Sequence, residues 1–385
     1  MPMPCWLCDR TIDDSLDSRE HIIPNSLGGR RVVQGFLCTD CNNATGEQWD
    51  SQLEAQLRPM ALMFGVKRQD GEETRAHVVQ ALSGAKYSLR ADGTMTPAGS
   101  PYREIATPGG GRQIHIQAPS LSQAKRKLKE ICAKYPDVDF DTVWATATEK
   151  RVYLDEPLMM TWDFGGEFSG RSIVKSALCL AVAAGFDVRN TESHAYLLRH
   201  PVEAPFGYYH TRDLLLERPR QLPLHCVAVS SRNTDGQLLG YVEYFGFRRM
   251  VVRIAGTYAG PEIHAIYAID PTRGETLDMD VDLSLSRAEV DACFAYECIP
   301  DGAQEAILHE LMPLALRRSF DRELARVIAR TRGEVLCAFG VRDEHELTPD
   351  QWADYSQRMA AGVMTFVQPY IKRRRRRGER GGEEA

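Results

Sequence analysis

The sequence predicts an α+β protein in which a small N-terminal module precedes a larger α+β domain with an antiparallel sheet and C-terminal helices. Three observations lead to this prediction. Two C-x-x-C pairs lie near the N-terminus, β-rich runs with short turns fill residues 222–270, and residues 286–371 have helical periodicity. A chain of 385 residues with 43% hydrophobic and 26% charged residues has the composition of a globular protein with a sizeable core.

The N-terminal module is defined by two cysteine pairs, Cys5 with Cys8 and Cys38 with Cys41. A C-x-x-C spacing places two thiolates on one side of a tight turn, and two such turns supply the four ligands of a tetrahedral structural zinc site. Two disulfides are the alternative. No secretory signal precedes these cysteines, so we expect a reducing, cytoplasmic environment, which favours Zn²⁺.

An acidic residue and a histidine, Glu20 and His21, lie between the two cysteine pairs. On an extended strand, adjacent side chains leave opposite faces, so both cannot easily bind one ion. We therefore expect Glu20 to hold a catalytic cation and His21, neutral near pH 7, to take a proton from water. Gly28 and Gly29 then permit a sharp reversal before the apolar residues 32–37 lead back to the second cysteine pair.

This pattern resembles the HNH nuclease family, whose ββα-metal fold carries paired C-x-x-C knuckles around a structural zinc. In that family an acid–His pair lies near the end of the first strand, and Cys-His or Cys-Asn opens the helix. The resemblance implies that Glu20 and Asn42 bind a divalent metal and that His21 activates water. It covers about the first fifty-five residues.

The sequence departs from the family pattern at three positions. Glu20 stands where Asp is commoner, and Asn42 stands where His is common, although an amide oxygen can also bind a hard cation. The family's middle Asn has no obvious counterpart, so either Gln34 or Asn25 takes its orienting role or the role is absent. A helix cap is the alternative interpretation of Asn42.

The middle of the chain is predicted to mix strands and helices. Turn residues within 74–89 predict a hairpin, and the Gly- and Pro-rich residues 91–111 predict a linker or a long loop. A strand at 113–117 and an amphipathic helix from Ser120 follow. The basic face of that helix either contacts phosphates or is simply solvated.

The second half begins with residues 140–162, where we expect two strands. Residues 169–185 predict a mostly buried helix, in which Ser172 would cap and Lys175 would extend its ammonium to solvent. Residues 222–270 predict a four-stranded β-meander, because short turns separate β-rich runs. The histidines near this meander lack a repeat spacing and are expected to be structural.

The last quarter is predicted to be helical over residues 286–298, 301–332 and 348–371. Residues 372–377 are a run of Lys and Arg, and like-charge repulsion predicts a disordered basic tail over residues 372–385. This tail would either contact the DNA backbone or keep the protein in solution. The whole chain has a net charge of −6, so any attraction to nucleic acid must be local.

We therefore expect four segments: an HNH module with zinc knuckles at 1–58, a hairpin and linker region at 59–111, an α+β recognition or regulatory domain at 112–371, and the tail at 372–385. The function predicted by the resemblance is a metal-dependent endonuclease acting on DNA. His21 would be the general base, Mg²⁺ or Mn²⁺ would bind at Glu20 and Asn42, and nearby arginines would contact phosphate, namely Arg19, Arg30 and Arg31.

Two other functions are also consistent with the sequence. The first is a non-catalytic zinc-finger protein that binds nucleic acid. In the second, residues 112–371 sense a small molecule or a phage-derived activator and switch the nuclease on, as in an antiviral defence effector. A nuclease that nicks one strand must pair to cut both, which favours a homodimer. The longest apolar run, residues 177–184, is too short to cross a bilayer, so no membrane partner is expected.

Overall fold

The computed structural model describes residues 3–98, 102–108, 110, 112–116, 118, 120–148, 154, 156–160, 162–200 and 202–381. Within these ranges every strand pair is antiparallel, helices dominate the C-terminal quarter, and the N-terminal cysteines cluster, which confirms the predicted α+β class. The chain divides into two compact units, the first formed by Met1–Ala76 and Thr161–Leu316, the second by His77–Met160 and Arg317–Ala385.

Short elements form the N-terminal module: β1 (Met3–Pro4), β2 (Thr11–Ile12), β3 (Glu20–His21), β4 (Val32–Val33), α1 (Thr39–Thr45) and α2 (Ser51–Phe64). Strand β1 pairs with β2, and β3 pairs with β4. A π-helical turn at Gly46–Asp50 joins α1 to α2. The β3-β4-α1 order is the strand–strand–helix arrangement that the resemblance to HNH nucleases implies.

The next elements are β5 (His77–Ala81), β6 (Lys86–Leu89), β7 (Met95–Pro97), β8 (Tyr102–Ala106), β9 (Arg112–Ile116), α3 (Leu121–Lys134), α4 (Phe140–Ala145) and β10 (Leu158–Met159). The β5–β6 pair confirms the predicted hairpin. Residues 91–111 are not only a loop, since they contain β7 and β8. The strand predicted near residue 140 is wrong, because the Asp139 side chain caps α4 through the backbone N–H of Thr142 at 2.8 Å.

The second half of the first unit contains α5 (Glu167–Ala183), α6 (Glu192–Leu197), β11 (Phe206–Tyr208), β12 (Leu215–Leu216), β13 (His225–Ser230), β14 (Leu238–Tyr244), β15 (Arg248–Ala255), β16 (His264–Asp270), β17 (Glu275–Leu277), β18 (Asp280–Val281) and α7 (Arg287–Phe294). Six strands form one sheet in the order β11-β15-β14-β13-β16-β17. Strands β13, β14 and β15 pair in chain order and confirm three strands of the predicted meander, whereas β16 pairs with β13 on its other side, so the four long strands are antiparallel without forming a simple four-stranded meander.

Helix α5 connects the N-terminal module to this sheet. Ile22 and Leu53 of the module, Val174 of α5 and Val242 of β14 belong to one cluster of buried apolar side chains. The helix lies close to the sheet at Gly240, where an added Cβ atom would come within 2.9 Å of the Ala177 Cβ. The module therefore shares its core with the sheet within the first unit.

Helices α8 (Ala303–Phe339) and α9 (Pro349–Gly381) complete the fold and confirm the predicted helical C-terminus. Helix α9 continues through the Lys and Arg run, where the sequence predicts disorder, and residues 382–385 lie outside the described ranges. Arg and Lys are good helix formers, and extending an existing helix has no nucleation cost. None of the helices in the described ranges has the length and apolar character needed to span a bilayer.

Candidate functional site

The four N-terminal cysteines converge at the start of α1. Cys5 and Cys8 lie on the turn after β1, Cys38 is the residue before α1, and Cys41 lies in its first turn. Their Sγ atoms all lie within 4.8 Å of one another, and none forms a disulfide. A zinc ion with four bonds of about 2.3 Å requires sulfur atoms about 3.8 Å apart. The Cys8 and Cys38 Sγ atoms are 3.7 Å apart, so the cluster could hold zinc.

Two glycines form the reversal between β3 and β4. Gly28 has a φ of +88°, which L side chains rarely adopt. A Cβ atom at Gly29 would lie 1.7 Å from the Ile23 carbonyl oxygen. This tight turn pairs Glu20 with Val33 and His21 with Val32, and it sends the Glu20 and His21 side chains to opposite faces of the hairpin.

The Glu20 side chain is buried, with 2% of its surface exposed. Its Oε1 atom accepts a hydrogen bond of 2.7 Å from Nζ of Lys175, a fully buried residue of α5. The same ammonium donates to Asp50 Oδ2 at 2.7 Å, and Ser172 Oγ donates to Asp50 Oδ1 at 2.6 Å. One ammonium therefore pairs with two carboxylates, so the cluster carries an excess of negative charge when both are ionised.

Burial and ion pairing shift the pKa values of Glu20 and Lys175 in opposite directions. Burial raises the pKa of Glu20, although Lys175 opposes the change. Burial alone would lower the pKa of Lys175, but Asp50 and Glu20 raise it above its ordinary value, so the ammonium stays charged. Glu20 Oε2 is buried and has no hydrogen-bond partner among the described residues. One oxygen of the carboxylate is thus unsatisfied.

His21 lies on the other face of the hairpin and is half-buried. Its Nε2 atom lies 3.1 Å from Gln69 Oε1. With the Gln69 amide in this orientation its oxygen can only accept a hydrogen bond, so the contact is made by the tautomer that carries its proton on Nε2 and its lone pair on Nδ1. Burial lowers the pKa of His21, and the bond to Gln69 opposes part of that change, so the ring is neutral at pH 7.

Comparison with known families supplies the decisive observation. Residues 5–58 match the family model described as HNH endonuclease. These residues are an HNH endonuclease domain. The predicted resemblance is therefore confirmed for the N-terminal module, and the domain supports nuclease activity and a nucleic-acid substrate. Comparisons with curated proteins and with solved structures gave no match.

Asn42 lies inside α1 of the HNH domain and is half-buried. Cys38 occupies the N-cap position, so the alternative that Asn42 caps this helix is wrong. The Asn42 backbone carbonyl accepts from Thr45 Oγ1 at 3.1 Å, and its side chain makes no hydrogen bond within the described part of the chain. Its amide oxygen is therefore available to another ligand.

The three arginines expected to contact phosphate differ in exposure. Arg19 and Arg31 are exposed, and neither forms an ion pair with a described residue. Arg30 is half-buried, and its Nη2 atom donates to the Lys67 carbonyl oxygen at 2.9 Å, so this guanidinium already braces the chain after α2. Arg19 and Arg31 thus remain the free cations of the HNH domain.

Three contacts of the HNH domain were missed by sequence reasoning: those of Lys175, Asp50 and Gln69. Ser172 and Lys175 were expected to be a helix cap and a solvent-seeking lysine, which is wrong because both lie buried within α5. The sequence did indicate that Lys175 has a partner. This lysine precedes the apolar residues 177–184 of a helix predicted to be buried, and a buried ammonium needs a carboxylate to pair with. Nothing in the sequence identifies Glu20 and Asp50 as the partners.

Proposed function

We propose that this protein is a metal-dependent HNH endonuclease that hydrolyses phosphodiester bonds in DNA, with His21 as the general base. One observation carries the proposal. Within the segment that matches the HNH endonuclease model, His21 is held neutral, its Nε2 atom is bonded to Gln69, and its Nδ1 atom has no partner among the described residues. A neutral imidazole with an available lone pair is the chemistry that a general base requires.

In the proposed reaction, Nδ1 of His21 accepts a proton from the water that attacks the phosphorus in line with the departing 3′ oxygen. Arg19 and Arg31 would hold the phosphate through charged hydrogen bonds. Lys175 would keep Glu20 ionised and fixed in orientation, because it binds Oε1 from inside the core. A divalent cation, when bound, would supply positive charge for the phosphorane and for the departing oxygen.

The side chains proposed to hold that cation are Glu20 and Asn42. HNH domains generally use a divalent metal, and the unpartnered Glu20 Oε2 atom fits this need, because a buried carboxylate oxygen without a donor favours a cation. Carboxylate and amide oxygens favour Mg²⁺ or Mn²⁺, whereas the four thiolates favour a structural Zn²⁺. We therefore propose two metals of different kinds in one domain.

The test is a plasmid-nicking assay with the full chain in Mg²⁺ or Mn²⁺, comparing wild type with His21→Ala. We expect wild type to cut and the variant to lose about 10²- to 10⁴-fold in rate, the usual contribution of a general base. Zinc content and thermal melting serve as controls for the fold. Equal cutting by the two proteins would remove His21 from the mechanism.

A second candidate is a non-catalytic zinc-finger protein that binds nucleic acid. The burial of Glu20 favours it, since 2% exposure and the bond to Lys175 restrict access of a metal to this carboxylate. In that case the full chain would bind DNA and cut neither DNA nor RNA with either metal. Metal-dependent cutting that is lost in His21→Ala excludes this candidate.

A further inference from the structure

A segment beyond the HNH match reaches the side chain proposed as the general base. The match ends at residue 58, and helix α2 ends at Phe64. The chain then turns back toward β3, where the Gln69 side chain contacts His21. This contact joins two side chains 48 positions apart, and one of them lies outside the matched segment.

Asn25 holds this segment against the HNH domain. Its Oδ1 atom accepts from the Gln69 backbone N–H at 2.8 Å, and its Nδ2 atom donates to Asp70 Oδ2 at 2.8 Å. Asp70 also accepts from Arg68 Nη2 at 2.8 Å. Asn25 thus fixes the backbone of the residue whose side chain contacts His21.

Lys67 anchors the start of the same segment. Its backbone N–H donates to the Pro271 carbonyl oxygen at 3.1 Å, and its own carbonyl accepts from Arg30 Nη2 at 2.9 Å. Each residue from Lys67 to Asp70 is therefore held by a hydrogen bond to a neighbouring part of the first unit or of the segment itself. Although the Gln69 side chain is exposed, its backbone is held in place by the hydrogen bond to Asn25.

The chemistry of an amide suits a group that orients a neutral histidine. A glutamine oxygen accepts a hydrogen bond without adding the negative charge that would favour the imidazolium. Because Oε1 meets Nε2, the bond selects the tautomer that carries its proton on Nε2 and leaves Nδ1 as the base. It also restricts rotation of the ring about its side-chain bonds.

We infer that Gln69 is the positioning residue for His21 and that Asn25 acts through Gln69 by fixing its backbone. The inference rests on the proposed function, in which His21 is the general base. Gln34, the other candidate from the sequence, is exposed and forms no side-chain hydrogen bond with a described residue, so Gln69 is the residue that orients this histidine.

The experiment compares Gln69→Ala with a matched control, Gln34→Ala, in the full chain. Gln69 is exposed, so its variant should keep the fold and zinc content of wild type. We expect Gln69→Ala to lower kcat for nicking by about 10-fold or more with little change in KM, as found for groups that orient a functional histidine. Gln34→Ala should cut like wild type, and Asn25→Ala should be impaired in the same direction as Gln69→Ala.

A second readout does not depend on activity. Nitrogen NMR of ring-labelled histidines reports which ring nitrogen of His21 carries the proton. Wild type and Gln34→Ala should show the Nε2–H tautomer, Gln69→Ala a mixture, and Gln69→Glu, measured at alkaline pH, should restore Nε2–H because a carboxylate also accepts.

The outcomes separate the two claims. Failure of wild type to cut any nucleic acid would overturn the proposed function, while the tautomer measurement would still decide the role of Gln69. An unchanged tautomer in Gln69→Ala would overturn the inference whatever the activity. Faster cutting by Gln69→Ala would overturn it too, because Gln69 would then block the ring rather than position it.

Discussion

Lys175 Nζ lies 2.7 Å from Glu20 Oε1, so an ammonium from helix α5 contacts the carboxylate that the HNH domain would offer to a metal. Both side chains are almost completely buried, and 155 positions of sequence separate them. An ion pair in this position stabilises the carboxylate while occupying one of its two oxygens. Helix α5, which lies outside the HNH domain, therefore supplies the positive charge that pairs with the Glu20 carboxylate of that domain.

We predict that Lys175→Met destabilises the first unit strongly. The change leaves Glu20 and Asp50 buried without a counter-charge, and breaking a buried ion pair on one side costs about 3–5 kcal/mol. Denaturant unfolding followed by tryptophan fluorescence measures the loss. Lys129→Met, at an exposed position of α3, is the control and should unfold like wild type. Adding Glu20→Gln to Lys175→Met should recover part of the stability; no recovery would contradict a direct coupling.

We predict that Cys38→Ala loses zinc and loosens the HNH domain. Removing one of four thiolates opens the tetrahedral site, and a structural zinc contributes folding free energy. Metal analysis should give about one zinc per chain in wild type and much less in the variant. Cys337→Ala removes an exposed thiol outside the cluster and should keep both zinc and melting temperature. Equal zinc content in the two variants would exclude this metal site.

The pH dependence of cutting should reflect the buried position of His21. Burial lowers its pKa below the ordinary value of about 6.5, so the neutral base persists to lower pH than a free histidine would allow. Activity should rise with pH through a midpoint below that value and be constant at neutral pH. The unfolded chain binds this proton more readily, so His21 also makes the fold less stable as pH falls. A midpoint above the ordinary histidine value, in a pH profile of kcat/KM, would contradict the assignment.

We predict that Arg31→Gln and Arg19→Gln weaken binding of DNA without changing the zinc site. Each removes a cation that would contact phosphate, and each should reduce the slope of log affinity against log salt by about 0.9 per lost contact. Fluorescence anisotropy over a salt series measures that slope. Arg232→Gln serves as the control, because this arginine pairs with Glu262 in the loops beside the sheet and lies outside the HNH domain. The same slope in all four proteins would exclude these phosphate contacts.

Local patterns predicted much of the fold. The cysteine spacing predicted the sulfur cluster, the Gly28-Gly29 pair predicted the reversal that joins β3 to β4, and alternating β-rich runs predicted the four long strands of the sheet. Each depends on residues close together in the sequence. The prediction failed at residues 140–145, where β-forming Val143 and Trp144 lie in a helix because Asp139 caps it.

The contacts around the candidate site could not be predicted in the same way. The partners of Glu20 and His21 are Lys175 and Gln69, and both contacts depend on how distant segments pack in three dimensions. A buried lysine signals that some carboxylate must be near, but it does not say which one. Assigning Asn42 to a metal was likewise a carry-over from the family, and it remains a prediction.

Helix α5 lies against β14 on one side, at Gly240, and holds the HNH carboxylate cluster on the other through Lys175. Displacing α5 relative to the HNH domain by even an ångström would stretch two short ionic contacts at once, those of Lys175 with Glu20 and with Asp50. The six-stranded sheet and the nuclease domain are thus thermodynamically linked. Grafting residues 5–58 onto another scaffold would leave Glu20 without its counter-ion, so the smallest transferable nuclease unit must include α5 and the strands beneath it.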